Sequence, residues 1–203
     1  EVALHGWNIP EDRKTIKIAA NGGRGLDLVR IPGAANAAPL AREDCKSITE
    51  EEYAKMGRLP EPTGTLIVSG RISSPGERDT YVFSAPGKEN FEVSVTARRV
   101  GSLLDPVLMV KDADSKTVAE KDDTDSGLDC TTQFTTAENK TYRIEVRDRF
   151  SHGGRRFFYM LRIARPARAF SLKLASDSFV LDKGKKLEIP VTVDRRGGYA
   201  GKI

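Results

Sequence analysis

The stretch RRVGSLLDPVLMVKDADSKTVAEKDDTDSGLD, residues 98–129, carries seven aspartates: Asp105, Asp112, Asp114, Asp122, Asp123, Asp125 and Asp129. Such a run has three chemical readings: metal ligation, paired-carboxylate catalysis, or the corners of a β-protein. Calcium takes about six to eight oxygens, and an acidic loop containing glycine can supply them. Asp123, Asp125 and Asp129 are spaced so that their carboxylates can converge around a bend at Gly127, which makes them the candidate calcium ligands. The EF-hand pattern is not met. With Gly127 as the loop glycine, Asp122, Thr124 and Ser126 fall at ligand positions and no glutamate follows at the right place. The competing reading is a solvated turn whose aspartates cap backbone amides.

The other aspartates point to turns. Asp112 and Asp114 sit in DADSK between two apolar runs, where an aspartate bonds nearby backbone and starts a tight turn. Asp105 precedes Pro106, and its carboxylate is expected to accept backbone N–H groups at the start of a strand. Acid–base work needs two carboxylates facing across a cleft, one with a raised pKa. These carboxylates fall in consecutive turns among basic neighbours, so no catalytic residue is assigned. The histidines are His5 and His152, and Ser151 beside His152 in a glycine turn does not make a triad. GGRGLD lacks the strand–helix context of a phosphate loop.

Two aromatic positions are candidates for binding. Trp7 is the single tryptophan and precedes a turn. It either stacks on a sugar ring or partner, or fills a core between domains. In the run Phe157, Phe158, Tyr159, alternation puts Phe158 and Met160 on the face away from the core, open to a neighbouring domain or a ligand. Cys45 and Cys130 are too few for a zinc motif; they are either one long-range disulfide or two thiols.

These residues need strands to position them. NFEVSVTA alternates with Phe91, Val93, Val95 and Ala97 on one face, and TYRIEVRD with Tyr142, Ile144 and Val146. AFSLKLAS and KKLEIPVTVD do the same through Phe170, Leu172, Leu174 and Leu187, Ile189, Val191, Val193. Further strands are expected at 2–5, 14–19, 27–31, 65–72, 79–84, 106–111, 116–120, 131–136 and 156–164. Turn clusters such as SSPGERD, APGKEN and SHGG separate them. One apolar face per strand means half-buried antiparallel pairing, and closely spaced turns mean a sandwich or barrel. One helix is expected over 48–56, with Ser47 and Glu50 as a capping box and Gly57 at its end.

The chain divides into three parts: 1–60 with a few strands and the helix, 62–165 with eight or so strands, and 168–203 with two good strands. The outer parts either pack together as one sandwich or are halves of neighbouring domains; mutual packing is favoured because their apolar faces need cover. With 33 basic and 29 acidic residues, a net charge of +4 and 31% charged residues, the chain reads as a solvated surface. The basic residues come in doublets, without the aromatic interleaving of a nucleic-acid face. No run approaches the ~20 apolar residues that cross a bilayer. The chain begins at Glu1 inside an expected strand, which reads as a processed product or a piece of something longer.

The middle part contains, in order, G-x-I before a turn, RDTYVF, GSLLDPVL, DADSK, DD with a later D, YRIEVRD, and GG before the last aromatic strand. Over residues 64–164 this resembles the bacterial pre-peptidase C-terminal (PPC) domain family. VALHGWNIP and LEIPVTVDRRGGYAGKI resemble the Ig-like segments around such domains in large exported bacterial proteins. The resemblance implies a non-catalytic, jelly-roll-like β-sandwich in a secreted, periplasmic or cell-surface protein. Its partners would be the other domains of that protein, or extracellular protein or polysaccharide. Relatives in clostridial collagenases bind calcium near the domain entrance through an acidic E-x-N-D-like stretch. Here LPEPTGTLIV keeps Glu61 and lacks the Asn-Asp pair. Asn139 in NKT matches a glycosylation acceptor but is assigned to a turn, since the resemblance is bacterial. The expected role is spacing, docking or adhesion. The alternatives are a calcium-stabilised binding module and a fragment of a secreted hydrolase acting through Asp123 or Asp125.

Overall fold

The structure is a computed structural model that describes residues 2–3, 15–16, 25–30, 36–85, 87–123, 127–137, 140–166, 169–181, 183–197 and 199–203. Its strands are β1 (Val2–Ala3), β2 (Thr15–Ile16), β3 (Gly25–Arg30), β4 (Ala37–Arg42), β5 (Lys46–Thr49), β6 (Thr65–Arg71), β7 (Arg78–Ala85) and β8 (Asn90–Thr96). They continue with β9 (Pro106–Lys111), β10 (Thr117–Lys121), β11 (Cys130–Thr135), β12 (Lys140–Asp148), β13 (Phe158–Ala164), β14 (Ala169–Leu174) and β15 (Val191–Arg196). One helix, α1, spans Glu50–Met56. Two sheets form a β-sandwich, ordered β10-β9-β12-β7 and β11-β8-β13-β6-β5. All pairs within them are antiparallel except β5 with β6. Two-stranded sheets β1-β2, β3-β4 and β14-β15 flank the sandwich in sequence.

Period two fills the space between the sheets. Tyr81 and Phe83 of β7, Leu108 and Val110 of β9, and Tyr142, Ile144 and Val146 of β12 point inward from one side. Phe91, Val93 and Val95 of β8, Leu66 and Val68 of β6, and Tyr159, Leu161 and Ile163 of β13 meet them from the other. Burying a side chain of this size stabilises the fold by roughly 1.5–3 kcal/mol. Phe83 packs edge-on to Phe91 at 5.6 Å, and Phe134 lies 5.3 Å from Tyr142, so aromatic rings join the two sheets. On the outer face Glu145 takes Arg78 at 2.8 Å and Lys111 at 3.1 Å, tying three adjacent strands. Burial alone would raise its pKa, but the two cations outweigh that and hold the carboxyl below its ordinary range.

The helix starts later than its sequence cap implies. Ser47 and Ile48 extend β5 along β6, and Ile48 is buried. The cap is Thr49, whose hydroxyl accepts from Glu52 N while the Glu52 carboxylate accepts from Thr49 N. Gly57 closes the helix at φ 67°, its N–H bonded to Tyr53 O. The Tyr53 hydroxyl accepts from Val82 N, and Leu59 N donates to Val82 O, so this segment covers the edge strand β7.

Two further departures have local causes. β15 begins at Val191, because Pro190 has no N–H to give a ladder; Leu187 and Ile189 lie outside the strand and are exposed. β4, AAPLAR, was not expected, because alanine and proline carry no strand signal. The β3-β4 pair lies beside the outer face of the five-stranded sheet. A cavity of about 170 Å³ there is lined by Leu26, Ala41, Glu43, Arg99 and Met160. Among the described residues no disulfide forms: Cys45 is half-buried, and burial pushes the Cys130 thiol up to about 12.

Candidate functional site

The carboxylates that converge lie where α1 meets β7. Glu50 is the first residue of α1, Glu77 precedes β7, and Asp79 is its second residue. Among the described residues, these are the acidic groups whose ligand oxygens all lie within 4.8 Å of one another. Each is anchored. Glu50 Oε2 accepts from Arg71 N at 3.2 Å, Glu77 Oε2 from Ser74 N at 2.6 Å, and Asp79 Oδ2 from the Tyr159 hydroxyl at 2.6 Å. The Tyr159 proton is thereby committed, so Tyr81, 2.6 Å away, donates to the Tyr159 oxygen and completes a buried relay. Gly70 makes the room: a Cβ there would meet the Tyr159 hydroxyl at 2.5 Å and the Tyr81 hydroxyl at 2.7 Å.

Asp79 is 8% exposed. Burial pushes its pKa up to about 7; Tyr159 pulls the other way, and the charges of Glu50 and Glu77 add to the rise. Glu50 is raised as well, mainly by burial. Three carboxylates this close do not all ionise without compensation, so the trio either shares a proton or surrounds a small hard cation.

At another turn cluster, Asp148 organises the chain. It is the last residue of β12 and is buried. Its Oδ1 accepts from Asp105 N at 3.0 Å, and its Oδ2 from Phe150 N and His152 N, both at 2.9 Å. The role expected of Asp105 thus belongs to Asp148. Asp105 Oδ1 is sealed from solvent and has no hydrogen-bond partner. Pro106 removes the next backbone donor, and the amides of this turn face Asp148 instead. Burial raises the Asp105 pKa, and Asp123 is the charge that acts on it most strongly, also upward.

Of the residues expected to hold calcium, Asp129 and Asp123 have different partners. Asp129 Oδ1 accepts from Ala97 N at 2.9 Å and Arg98 N at 2.7 Å, and its Oδ2 pairs with Arg99 Nε at 2.9 Å. Asp123 faces Arg149, which holds Asp122 Oδ2 at 2.6 Å and Asp123 Oδ2 at 3.4 Å. Asp125, Trp7 and Asn139 lie outside the described residues. Phe158 is 38% exposed on the outer face of β13. Asp112 Oδ1 accepts from Asp114 N and Lys116 N, both at 3.0 Å, in a tight turn.

Sequence reasoning passed over Asp79, Asp148 and Glu50, although a signal existed for two of them. Asp79 stands in phase with Tyr81, Phe83 and Ala85, and Asp148 with Tyr142, Ile144 and Val146. A carboxylate at an apolar-face position must find donors or a proton. Glu50 had no such mark, because its place depends on the parallel β5-β6 pairing.

No family model matches the chain, and no curated protein matches it. Solved structures similar to it include the pre-peptidase C-terminal domain of collagenase from Bacillus anthracis, at 9% identity and a TM-score of 0.35, covering 61% of this chain and 97% of that one. The Salmonella Typhimurium PliG, a periplasmic lysozyme inhibitor of g-type lysozyme, is similar at 16% identity and a TM-score of 0.35, covering 59% and 97%. The Aeromonas hydrophila PliG is similar at 15% identity and a TM-score of 0.36, covering 59% and 95%. At this distance none of them assigns a family, and the sandwich architecture stands on the chain's own strand order.

Proposed function

We propose that this chain is a non-catalytic β-sandwich module of a larger exported bacterial protein, placed there for spacing, docking or adhesion. The observation that carries this reading is the open face of the β14-β15 hairpin. Leu172 pairs with Val193 and Leu174 with Val191, and all four side chains lie on one face, 40–53% exposed. An isolated hairpin is marginal in water, and an apolar face of this kind favours burial against another domain. The carboxylates of Asp112, Asp129 and Asp148 are spent on backbone amides, which supports a scaffold role over acid–base work.

A hydrophobic dye tests the proposal. The chain should enhance dye fluorescence. Leu172→Lys with Val193→Lys should lose that enhancement without loss of the sandwich, and a longer polypeptide carrying the next domain should also lose it. Absence of dye binding, or turnover of a glycoside, ester or peptide that disappears in Asp123→Ala, contradicts the reading. A second reading, a calcium-stabilised module that binds fibrous protein or polysaccharide, draws on the convergence of Glu50, Glu77 and Asp79.

A further inference from the structure

From Arg149 to Phe158 the chain holds three arginines, one histidine, three phenylalanines and no acidic residue. Phe150 is 63% exposed and the His152 side chain 67%, yet the turn that carries them is tightly braced. Asp148 accepts from Phe150 N and His152 N, and Ser151 O accepts from Gly76 N at 3.0 Å. Gly154 N donates to Ile72 O at 2.8 Å, Ile72 N to Phe157 O at 2.9 Å and Leu103 N to Arg156 O at 2.8 Å, so two neighbouring turns hold it. Ser151 sits at φ 59°, a left-handed backbone that serine adopts where its surroundings impose it. Core packing does not call for a braced turn that keeps two rings in water; a surface that meets a partner does.

The rings form a row. Phe150 and His152 lie 6.1 Å apart with a 32° tilt, and His152 meets Phe157 edge-on at 6.3 Å. Phe157 packs on the core, so the row runs from the core out to Phe150. Phe157 N also donates to Gly154 O at 3.0 Å, which closes a tight turn with Arg155 and Arg156 at its corners. Both are exposed, and among the described residues neither guanidinium has a partner. At the other end of the segment Arg149, held by Asp122, lines an open cleft of about 500 Å³ together with Glu120, Lys121 and Arg147.

We propose that this turn binds an anionic polysaccharide of the polyuronate class, with one sugar ring stacked on Phe150 and the carboxylates of neighbouring sugars taken by Arg155 and Arg156. A sugar ring presents apolar C–H groups on its face, which suits an exposed aromatic, and a guanidinium pairs with a carboxylate through two parallel hydrogen bonds. A polyuronate carries one carboxylate per ring, which matches a segment where rings and arginines are interspersed. Nucleic acid is the weaker match: tracking closely spaced phosphates needs a continuous basic stripe, and the 33 basic residues here are mixed with 29 acidic ones. A braced turn also loses little conformational freedom on binding. The proposal rests on the reading of the chain as an exported docking module and uses a different surface from the β14-β15 hairpin.

Isothermal titration calorimetry of the full chain with polygalacturonate, in about 0.15 M salt, tests it. Phe150→Ala should weaken binding about tenfold, and Phe150→Tyr, which keeps the ring, should restore it. Arg155→Gln with Arg156→Gln should weaken it about tenfold and lower its salt dependence. Methyl-esterified polygalacturonate, which keeps the rings and loses the charge, should bind no better than the acid form binds to that arginine variant. These side chains are exposed, so the urea midpoint should not move. Leu172→Lys with Val193→Lys should bind like wild type, so failure of the hairpin reading and failure of this one are told apart. Absence of saturable polygalacturonate binding overturns the proposal. So does unchanged affinity in Phe150→Ala, equal binding of the ester, loss of binding in the hairpin variant, or tighter binding of a single-stranded oligothymidylate.

Discussion

Asp79 carries a cost that depends on pH. Its carboxyl titrates at about 7 in the folded chain and returns to an ordinary aspartate value, near 3.9, on unfolding. The folded chain therefore holds an extra proton between those values. The contribution of this group to stability is full below about pH 4, declines as pH rises, and is gone above 7. A shift of this size corresponds to roughly 4 kcal/mol across the window. Asp79→Asn keeps an oxygen for the Tyr159 hydroxyl and offers an amide to Glu50 without a charge. Urea unfolding in chelator should show the variant more stable than wild type at pH 8, by about 1–3 kcal/mol, with a flatter profile between pH 5 and 8. If the trio holds calcium instead, the variant gives up calcium stabilisation that wild type has. Gly70 belongs to the same unit, because its missing Cβ is what lets two tyrosine hydroxyls line up behind the acid.

At the scale of elements, Asp148 fastens β12 to the turn before β9 and to its own following turn. One buried carboxylate serves three amides, those of Asp105, Phe150 and His152. Asp148→Asn leaves a single acceptor oxygen and turns the other position into a donor, so at least one buried N–H loses its partner. The expected destabilisation is about 2 kcal/mol by denaturant unfolding, with faster hydrogen exchange at those amides. Gly153 makes a similar junction, since a Cβ there would strike the backbone of Ser74. The GG segment thus marks a close approach of two backbones, and the glycine of GRI leaves room for two tyrosine hydroxyls. The elements that alternate strictly, β7, β8, β12 and β13, were legible from period two because they face the core on one side. β4 was not legible, since its pairing with β3 overrides a weak local preference. Nor was the cap, because Ser47 and Thr49 both precede a glutamate three residues on, and the β5-β6 ladder selects the second. The acidic site failed to appear for a related reason: its three members come from a helix start, a turn and a strand that only the assembled fold brings together.

At the scale of the whole molecule, sheet order decides when the core can close. β6 has its antiparallel partner in β13, with Thr65 opposite Ala164, and β13 also lies between β6 and β8. The five-stranded sheet is therefore incomplete until the last strand of the sandwich exists. Pairings so distant in sequence are slow to form, on the order of milliseconds to seconds in comparable all-β domains. Stopped-flow refolding should show one slow phase common to fluorescence and circular dichroism, and a chain ending before Phe158 should not protect β6 or β8 amides from exchange. During synthesis, then, β6 and β8 emerge from the ribosome with open edges and wait for their mate. The polypeptide therefore stays threadable for a long interval, and the late strand works as the clasp that ends it.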